Sequence, residues 1–387
     1  MKVAVCTLSQ NLSAPSGLLT WFSQLAQFLP EVDPNTEYHF VVSEQTRDYI
    51  TRKSPKVIAD IVGWDSSFRY RRLFSEHFLL GWWLKRNGID VLLMANAGTR
   101  PLYLPRSVKL VQGIFGFHHA NSAELLPLIR FYRTAFFNVT VRRADLIVVN
   151  SEYSRDTLAR LMPAGLAKTR VVPHGRNDAL FHAGPLTERE DVEFAALNIP
   201  KPFFAFVSQI YPYKNVHTAV EGFCRYVKVS GQPHHMVVVG IFSSNYGEGE
   251  NYRQKLIEIA RGYGLESRLL FCSGVSVAAL RALYRSADAY IQSSLSETFG
   301  RTSLEAMSCG CPVVAARAAA TPEVVGDAGL YFEGADVQGC ADNLLRLVSD
   351  PALRMTCVKR GLERAQMYSF RNEAHQLAQI FSEVVHL

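Results

Sequence analysis

The 387-residue chain reads as an α/β protein carrying two parallel, doubly wound sheets, and three observations lead there. Short apolar runs alternate with amphipathic stretches from one end to the other. Most of the runs are apolar throughout, which is how parallel strands covered on both faces look. They also fall into two series parted by a polar stretch without strand pattern, and repeated β-then-α order gives each series a sheet of its own.

The first series contains KVAVCTL (2–8), YHFVVS (38–43), DVLLM (90–94), KLVQGI (109–114), DLIVV (145–149) and RVVP (170–173). The second contains FFAFVS (203–208), HMVVVG (235–240), RLLFC (268–272), DAYIQ (288–292), PVVAA (312–316) and GLYF (329–332). Between strands, GLLTWFSQLAQFLP puts Leu18, Phe22, Leu25, Ala26 and Leu29 on one helical stripe. VSVAALRALYRSAD puts Val277, Leu280, Leu283 and Tyr284 on one face behind Ser276 as N-cap. The strandless stretch 175–202 reads as a linker, giving domains of 1–180 and 190–367. Ligands of such sheets bind beyond the strand carboxyl ends, so two sheets facing each other would form a cleft lined by loops from both.

Composition narrows the class. Hydrophobic residues at 48% and charged residues at 20% describe a globular protein, neither disordered nor fibrous. No run approaches the ~18 uncharged apolar residues that span a bilayer. The start, MKVAVCTLSQ, has the pattern of a buried strand and lacks the features of a secretory signal. Seven scattered cysteines read as reduced thiols of a cytoplasmic protein, and Cys309-x-Cys311 lacks the second ligand pair of a zinc site. The Asn138-Val139-Thr140 sequon is then incidental.

The net charge of +6 is concentrated. Between residues 52 and 109, eleven Lys/Arg face four Asp/Glu, more than the whole excess. Within that segment SSFRYRRLFSEHFLLGWWLKRNG interleaves arginines with aromatics, so 68–86 is expected to contact an anionic membrane surface peripherally. No recognition motif for nucleic acid accompanies the charge.

The most informative stretch is SSLSETFGRTSLEAMSCGCPVVAA (293–316). A strand ends at Gln292, a loop carries Glu297, and a helix over 301–309 carries Glu305 before Gly310 and Pro312 stop it. The backbone N–H groups of Gly300 to Ser303 are the open donors of that helix, a place that attracts phosphate through both hydrogen bonds and dipole. A diphosphate there would leave Glu305 within reach of ribose hydroxyls and Glu297 within reach of an attached sugar. The plainer alternative, two solvated acids at a helix entry, does not explain the preceding strand, the Phe-Gly turn or the Gly/Pro stop.

These residues resemble the E-x7-E signature of family 4 retaining glycosyltransferases, whose GT-B fold sets two Rossmann-like domains face to face across a cleft. VSQIYPYKNVHTAVEGF (207–223) is similar to the family's phosphate loop and Lys-Asn pair. FCSGVSVAALRALYRSADAYIQSS resembles its nucleotide-base segment, and TPEVVGDAGLYF (321–332) its Pro-Glu turn. In the first half RADLIVVNSEYSRDTL and RVVPHGRND fit and the rest matches only broadly.

The resemblance implies roles. Glu297 would contact the donor sugar and stabilise an oxocarbenium-like transition state, Glu305 would hold the ribose, and Lys214 would neutralise the leaving diphosphate. Phe299, Gly300, Arg301, Thr302 and Ser303 would surround the donor, and backbone near Gly274 and Val275 would read the base. Ser208-Gln209 stands where the family often has Gly-Arg, so either Lys214 and the helix start suffice or Arg301 or another basic residue substitutes. Gly17 would lie in the loop under the donor phosphates. His118 or His119 would face the acceptor; a strand ending at Phe115 would put a phenylalanine in that slot instead. His174-Gly175 lines the cleft or serves as hinge or cap. The amphipathic stretch 368–387 would cross back to the first domain.

The function implied is retaining, nucleotide-sugar-dependent glycosyl transfer to a saccharide or lipid-linked acceptor in cell-surface polysaccharide or glycoconjugate assembly. Attack would come on the same face as departure, without metal and with no cofactor beyond the nucleotide-sugar donor. A nucleotide-sugar epimerase, a phosphorylase or a non-catalytic nucleotide-sugar-binding protein on the same scaffold are the alternatives.

Overall fold

A computed structural model describes residues 1–8, 10, 17–62, 74–95, 101–117, 127–242 and 249–387, with side chains from 135 onward in the helix Pro127–Arg143. Backbone contacts divide the chain into two units, Met1–Gly175 with Phe370–Leu387, and Arg176–Ser369.

The first unit contains Lys2–Cys6 (β1), Glu37–Val42 (β2), Ile58–Ile61 (β3), Val91–Met94 (β4), Lys109–Ile114 (β5), Leu146–Val149 (β6) and Thr169–Val171 (β7). Their order is β3-β2-β1-β4-β5-β6-β7, parallel throughout. Alternation along one strand feeds two cores. Val3 and Val5 pack with the helices Gly17–Val32 and Phe370–Val385, while Ala4 and Cys6 pack with Leu80, Leu84 and Val141 on the other face. The helix Phe370–Val385 buries Ala374, Leu377, Ile380, Phe381 and Val384, and Arg371 reaches Glu31 at 2.6 Å. Its Glu373, 2% exposed, accepts from Trp21 Nε1 at 2.5 Å and from the Gly175 N–H at 2.8 Å, and it lies 2.9 Å from His174 Nδ1. His174 is thereby a buried brace.

Strand β3 departs from the sequence reading, which had no strand there. It is a four-residue edge strand with Asp60 inside it, and Ile58 and Ile61 are exposed. Edge strands pair on one side only, so their apolar signal is weak. Asp60 sits 2.8 Å from His39 Nδ1 of β2.

The second unit contains Phe203–Val207 (β8), His235–Val239 (β9), Leu269–Cys272 (β10), Ala289–Gln292 (β11), Val313–Ala316 (β12) and Gly329–Phe332 (β13), in the order β10-β9-β8-β11-β12-β13. Strand β8 again serves two cores, with Phe204 and Phe206 facing one and Phe203, Ala205 and Val207 the other. All seven cysteines are free thiols.

The stretch expected to be a linker is part of this second unit. Thr187 caps the helix Glu188–Ala195, with Glu190 returning the bond in a capping box. The anchor is Arg281 on the helix Val277–Ser286, 1% exposed. It donates to the carbonyls of His182 (3.1 Å), Gly184 (2.6 Å) and Pro185 (3.0 Å) and pairs with Glu190 at 2.5 Å. This helix therefore turns Arg281 inward while Val277, expected on the buried face, is exposed. Removing one partner of a buried pair leaves the other charged and unsatisfied, so Arg281→Ala should lower the stability of this unit by about 3–5 kcal/mol in urea unfolding.

Candidate functional site

In the order β10-β9-β8-β11-β12-β13 the crossover direction reverses between β8 and β11, and there the connections leave to opposite sides and open a crevice at the carboxyl ends. After β8 a 3-10 turn, Pro212–Lys214, leads to Asn215 at φ 53°, ψ 39° and then into the helix Val216–Ser230. Asparagine tolerates this left-handed conformation. Here it is 1% exposed, and its Oδ1 accepts from Thr218 Oγ1 at 2.8 Å. The turn aims Lys214 across the crevice.

Three loops meet there. Ser293, the first residue beyond β11, donates through Oγ to the carbonyls of Lys214 (3.0 Å) and Asn215 (2.8 Å). The Leu295 N–H donates to the Tyr213 carbonyl at 3.1 Å, and the Ala320 N–H, beyond β12, donates to the Glu297 carbonyl at 3.1 Å. Held in this way, Glu297 forms an ion pair with Lys214, both side chains being largely buried. Lysine carries three donors, so Nζ can hold Glu297 and still meet a phosphate.

The helix Arg301–Ser308 starts at Gly300, whose φ of 97° belongs to the region that favours glycine. The Ser303 N–H, expected to be open, donates to the Gly300 carbonyl at 3.1 Å; the first turn closes on itself and removes one of the four anticipated donors. Among the described residues Gln292 Nε2 and Ser303 Oγ are buried without a hydrogen-bond partner, and each lies 4.0 Å from where a Gly300 Cβ would sit. Each such atom costs on the order of 1–3 kcal/mol unless something fills the gap. Thr302 Oγ1 accepts from the buried Tyr290 hydroxyl at 2.7 Å, which fixes the helix start on β11.

Phe299, expected around the donor, is 3% exposed and packs edge-on against Tyr368 with centroids 5.6 Å apart. Its side chain belongs to the core, leaving only its backbone for a ligand. Gln209 is exposed and Ser208 Oγ donates to the Gln209 carbonyl at 2.7 Å. Gly274, at φ 68°, and Val275 follow β10, with Gly274 exposed and no atom near its missing Cβ. In the first unit Gly17 is the exposed first residue of its helix. His118, His119 and the 68–73 part of the basic, aromatic stretch lie outside the described residues. Among the described residues no cluster of three His, Cys, Asp or Glu side chains could hold a metal.

Glu305 lies one turn into the helix with no hydrogen bond to its carboxyl among the described residues. Burial pushes that carboxyl up to about 7, and Arg301 pulls it back only in part. The folded protein thus holds this proton more tightly than the unfolded chain does. The folded protein therefore loses stability against unfolding as pH rises from the ordinary carboxylate range through about 7. Glu305→Gln should therefore raise the melting temperature of the ligand-free protein at pH 8, by about 2–4 °C per kcal/mol relieved, and leave it nearly unchanged at pH 5.

The model of "Glycosyl transferases group 1" matches residues 188–364 and that of "Glycosyltransferase Family 4" matches 37–180. A D-inositol 3-phosphate glycosyltransferase of Saccharomonospora viridis is 30% identical over 249 residues, 63% of this chain and 57% of that protein. The match thus spans well under two thirds of the relative's length. Among solved structures, sucrose-phosphate synthase from Thermosynechococcus elongatus aligns over 99% of both chains at 19% identity with a TM-score of 0.77. HepE of Anabaena, solved with UDP-glucose, aligns over 99% of this chain and 100% of its own at 18% identity and 0.74. With both family models matched and the double parallel sheet in place, the chain belongs to the family 4 glycosyltransferases and has the GT-B fold.

Proposed function

We propose that the protein transfers a sugar from a nucleotide-diphosphate donor to a hydroxyl of a saccharide or lipid-linked saccharide, with retention of anomeric configuration, in cell-surface polysaccharide or glycoconjugate assembly. The observation that carries this reading is the contact of Lys214 with Glu297 beside the left-handed Gly300 turn. It joins a cation, an acid and a helix start at the reversal point of the sheet. As the bond between the anomeric carbon and the diphosphate oxygen breaks, negative charge grows on that oxygen. Lys214 Nζ and the N–H groups at the helix start stabilise it in a largely buried site. Glu297 faces the positive charge that develops on the sugar. The acceptor hydroxyl attacks from the side the diphosphate leaves and passes its proton to the departing phosphate oxygen. The Glu305 carboxylate accepts from the ribose hydroxyls, and binding of those hydroxyls favours its ionised form. Arg301 supplies the second positive charge that Gln209 does not. With this charge available from the chain, turnover needs no divalent cation.

Glu297→Gln should lower turnover by about 10²–10³ while the thermal shift produced by a nucleoside diphosphate persists; unchanged turnover would overturn the assignment of Glu297. Lys214→Ala should shrink that thermal shift itself, because stabilisation follows donor affinity. Product stereochemistry, read from the anomeric proton coupling, tests retention, and activity lost on chelation and restored by Mg²⁺ would refute the metal-free step.

A further inference from the structure

On the first unit, away from the donor-binding loops, the surface carries large apolar side chains that the core does not use. Phe78 and Trp82, one turn apart, are 49% and 71% exposed, and beside them Leu102 and Tyr103 are 48% and 43% exposed. These four come from two segments locked together. The Leu102 N–H donates to the His77 carbonyl at 3.0 Å, and the Trp82 and Tyr103 rings lie 6.2 Å apart. A Cβ on Gly81 would fall 1.9 Å from the Tyr103 carbonyl oxygen, so glycine is what lets the 101–106 segment lie against the helix Leu80–Arg86. Soluble proteins seldom leave such a contiguous patch exposed without use for it.

The same segment runs on into a recess of about 210 Å³ at the amino ends of β5 and β6, lined among others by Pro105, Arg106, Lys109, Arg143 and Asp145. Asp145 is engaged, accepting from the Leu110 N–H at 2.8 Å and facing Lys109 at 3.6 Å. No acidic partner of Arg106 or Arg143 is found among the described residues. Both guanidiniums are therefore available to an anion, and guanidinium suits phosphate geometry.

We propose that the first unit docks on an anionic phospholipid surface, Phe78, Trp82, Leu102 and Tyr103 entering the headgroup–acyl boundary while Arg106 and Arg143 take a lipid phosphate in the neighbouring recess. Amphipathic aromatic rings at the boundary and cations at the headgroups form a two-part anchor, each part weak alone. The helix Leu80–Arg86 leads into the amino end of β4, so Phe78 lies toward the carboxyl edge of the sheet and the arginines toward the opposite edge. The unit would rest on its side. This surface shares no residue with the donor site, and the two readings stand or fall separately.

The test is co-sedimentation of the full chain with phosphatidylcholine vesicles with and without phosphatidylglycerol, beside a transfer assay with a soluble acceptor. The parent protein should pellet with the anionic vesicles and be released by salt. Phe78→Ser with Trp82→Ser, and separately Arg106→Gln with Arg143→Gln, should each lower the partition coefficient about tenfold, with unfolding temperature and soluble transfer retained. Equal binding to neutral vesicles, no binding to anionic ones, or unchanged partition of both paired variants would overturn the proposal. Loss of soluble transfer in the parent protein would instead count against the donor-site reading.

Discussion

In both sheets alternate residues of a single strand enter different cores, Phe204 and Phe206 on one side of β8 and Phe203, Ala205 and Val207 on the other. A strand hidden on both faces has no solvent side on which to display a polar group. Whatever chemistry the chain performs must therefore sit at strand ends, in the loops that carry the chain to a helix. The loops that follow β8, β11 and β12 are the ones tied together by Ser293, Leu295 and Ala320. Lys214 and Glu297 owe their contact to those backbone ties more than to each other, since two long side chains gain little from pairing unless something else holds them.

The crevice is also where the second unit departs from its own rules of economy. Glu305 is a carboxyl held where burial disfavours its charge, and among the described residues Gln292 Nε2 and Ser303 Oγ are buried without a hydrogen-bond partner. Elsewhere in this unit, among the described residues, Asn215 Nδ2, His235 Nδ1, the Tyr284 hydroxyl and Thr321 Oγ1 are also buried without a hydrogen bond. Local inconsistencies of this kind collect where a ligand completes the structure. On the function proposed here, a polyhydroxylated, phosphorylated ligand would supply hydroxyls to the carboxylate and anionic oxygens to the lysine and the helix start.

Away from the site, buried charge has a different task. Arg281 gathers three carbonyls and Glu190 from a segment with no strand of its own. Glu373 gathers Trp21, His174 and the Gly175 N–H in the first unit. Arg281 satisfies three backbone carbonyls, and Glu373 one backbone N–H and two side chains, none of which a sheet ladder could reach, and this lets irregular segments be buried at all. That is why residues 176–202 fold with the second unit instead of hanging between domains.

The amino-acid sequence by itself determined the strands of both sheets apart from β3, the helix that carries Glu305, its stop at Gly310, and the family. Each depends on periodicities of two or 3.6 residues or on Gly and Pro acting on their immediate neighbours. Only the tertiary structure decided that Val277 faces outward and Arg281 inward, that Phe299 is a core residue, that the Ser303 N–H is already taken, and that Asp60 sits inside an edge strand. The partners responsible lie far away along the chain, Ser293 being 79 positions from Lys214 and Arg281 being 99 from His182. No local pattern encodes a hydrogen bond between residues so widely separated; it exists only once the sheet has brought its strand ends side by side.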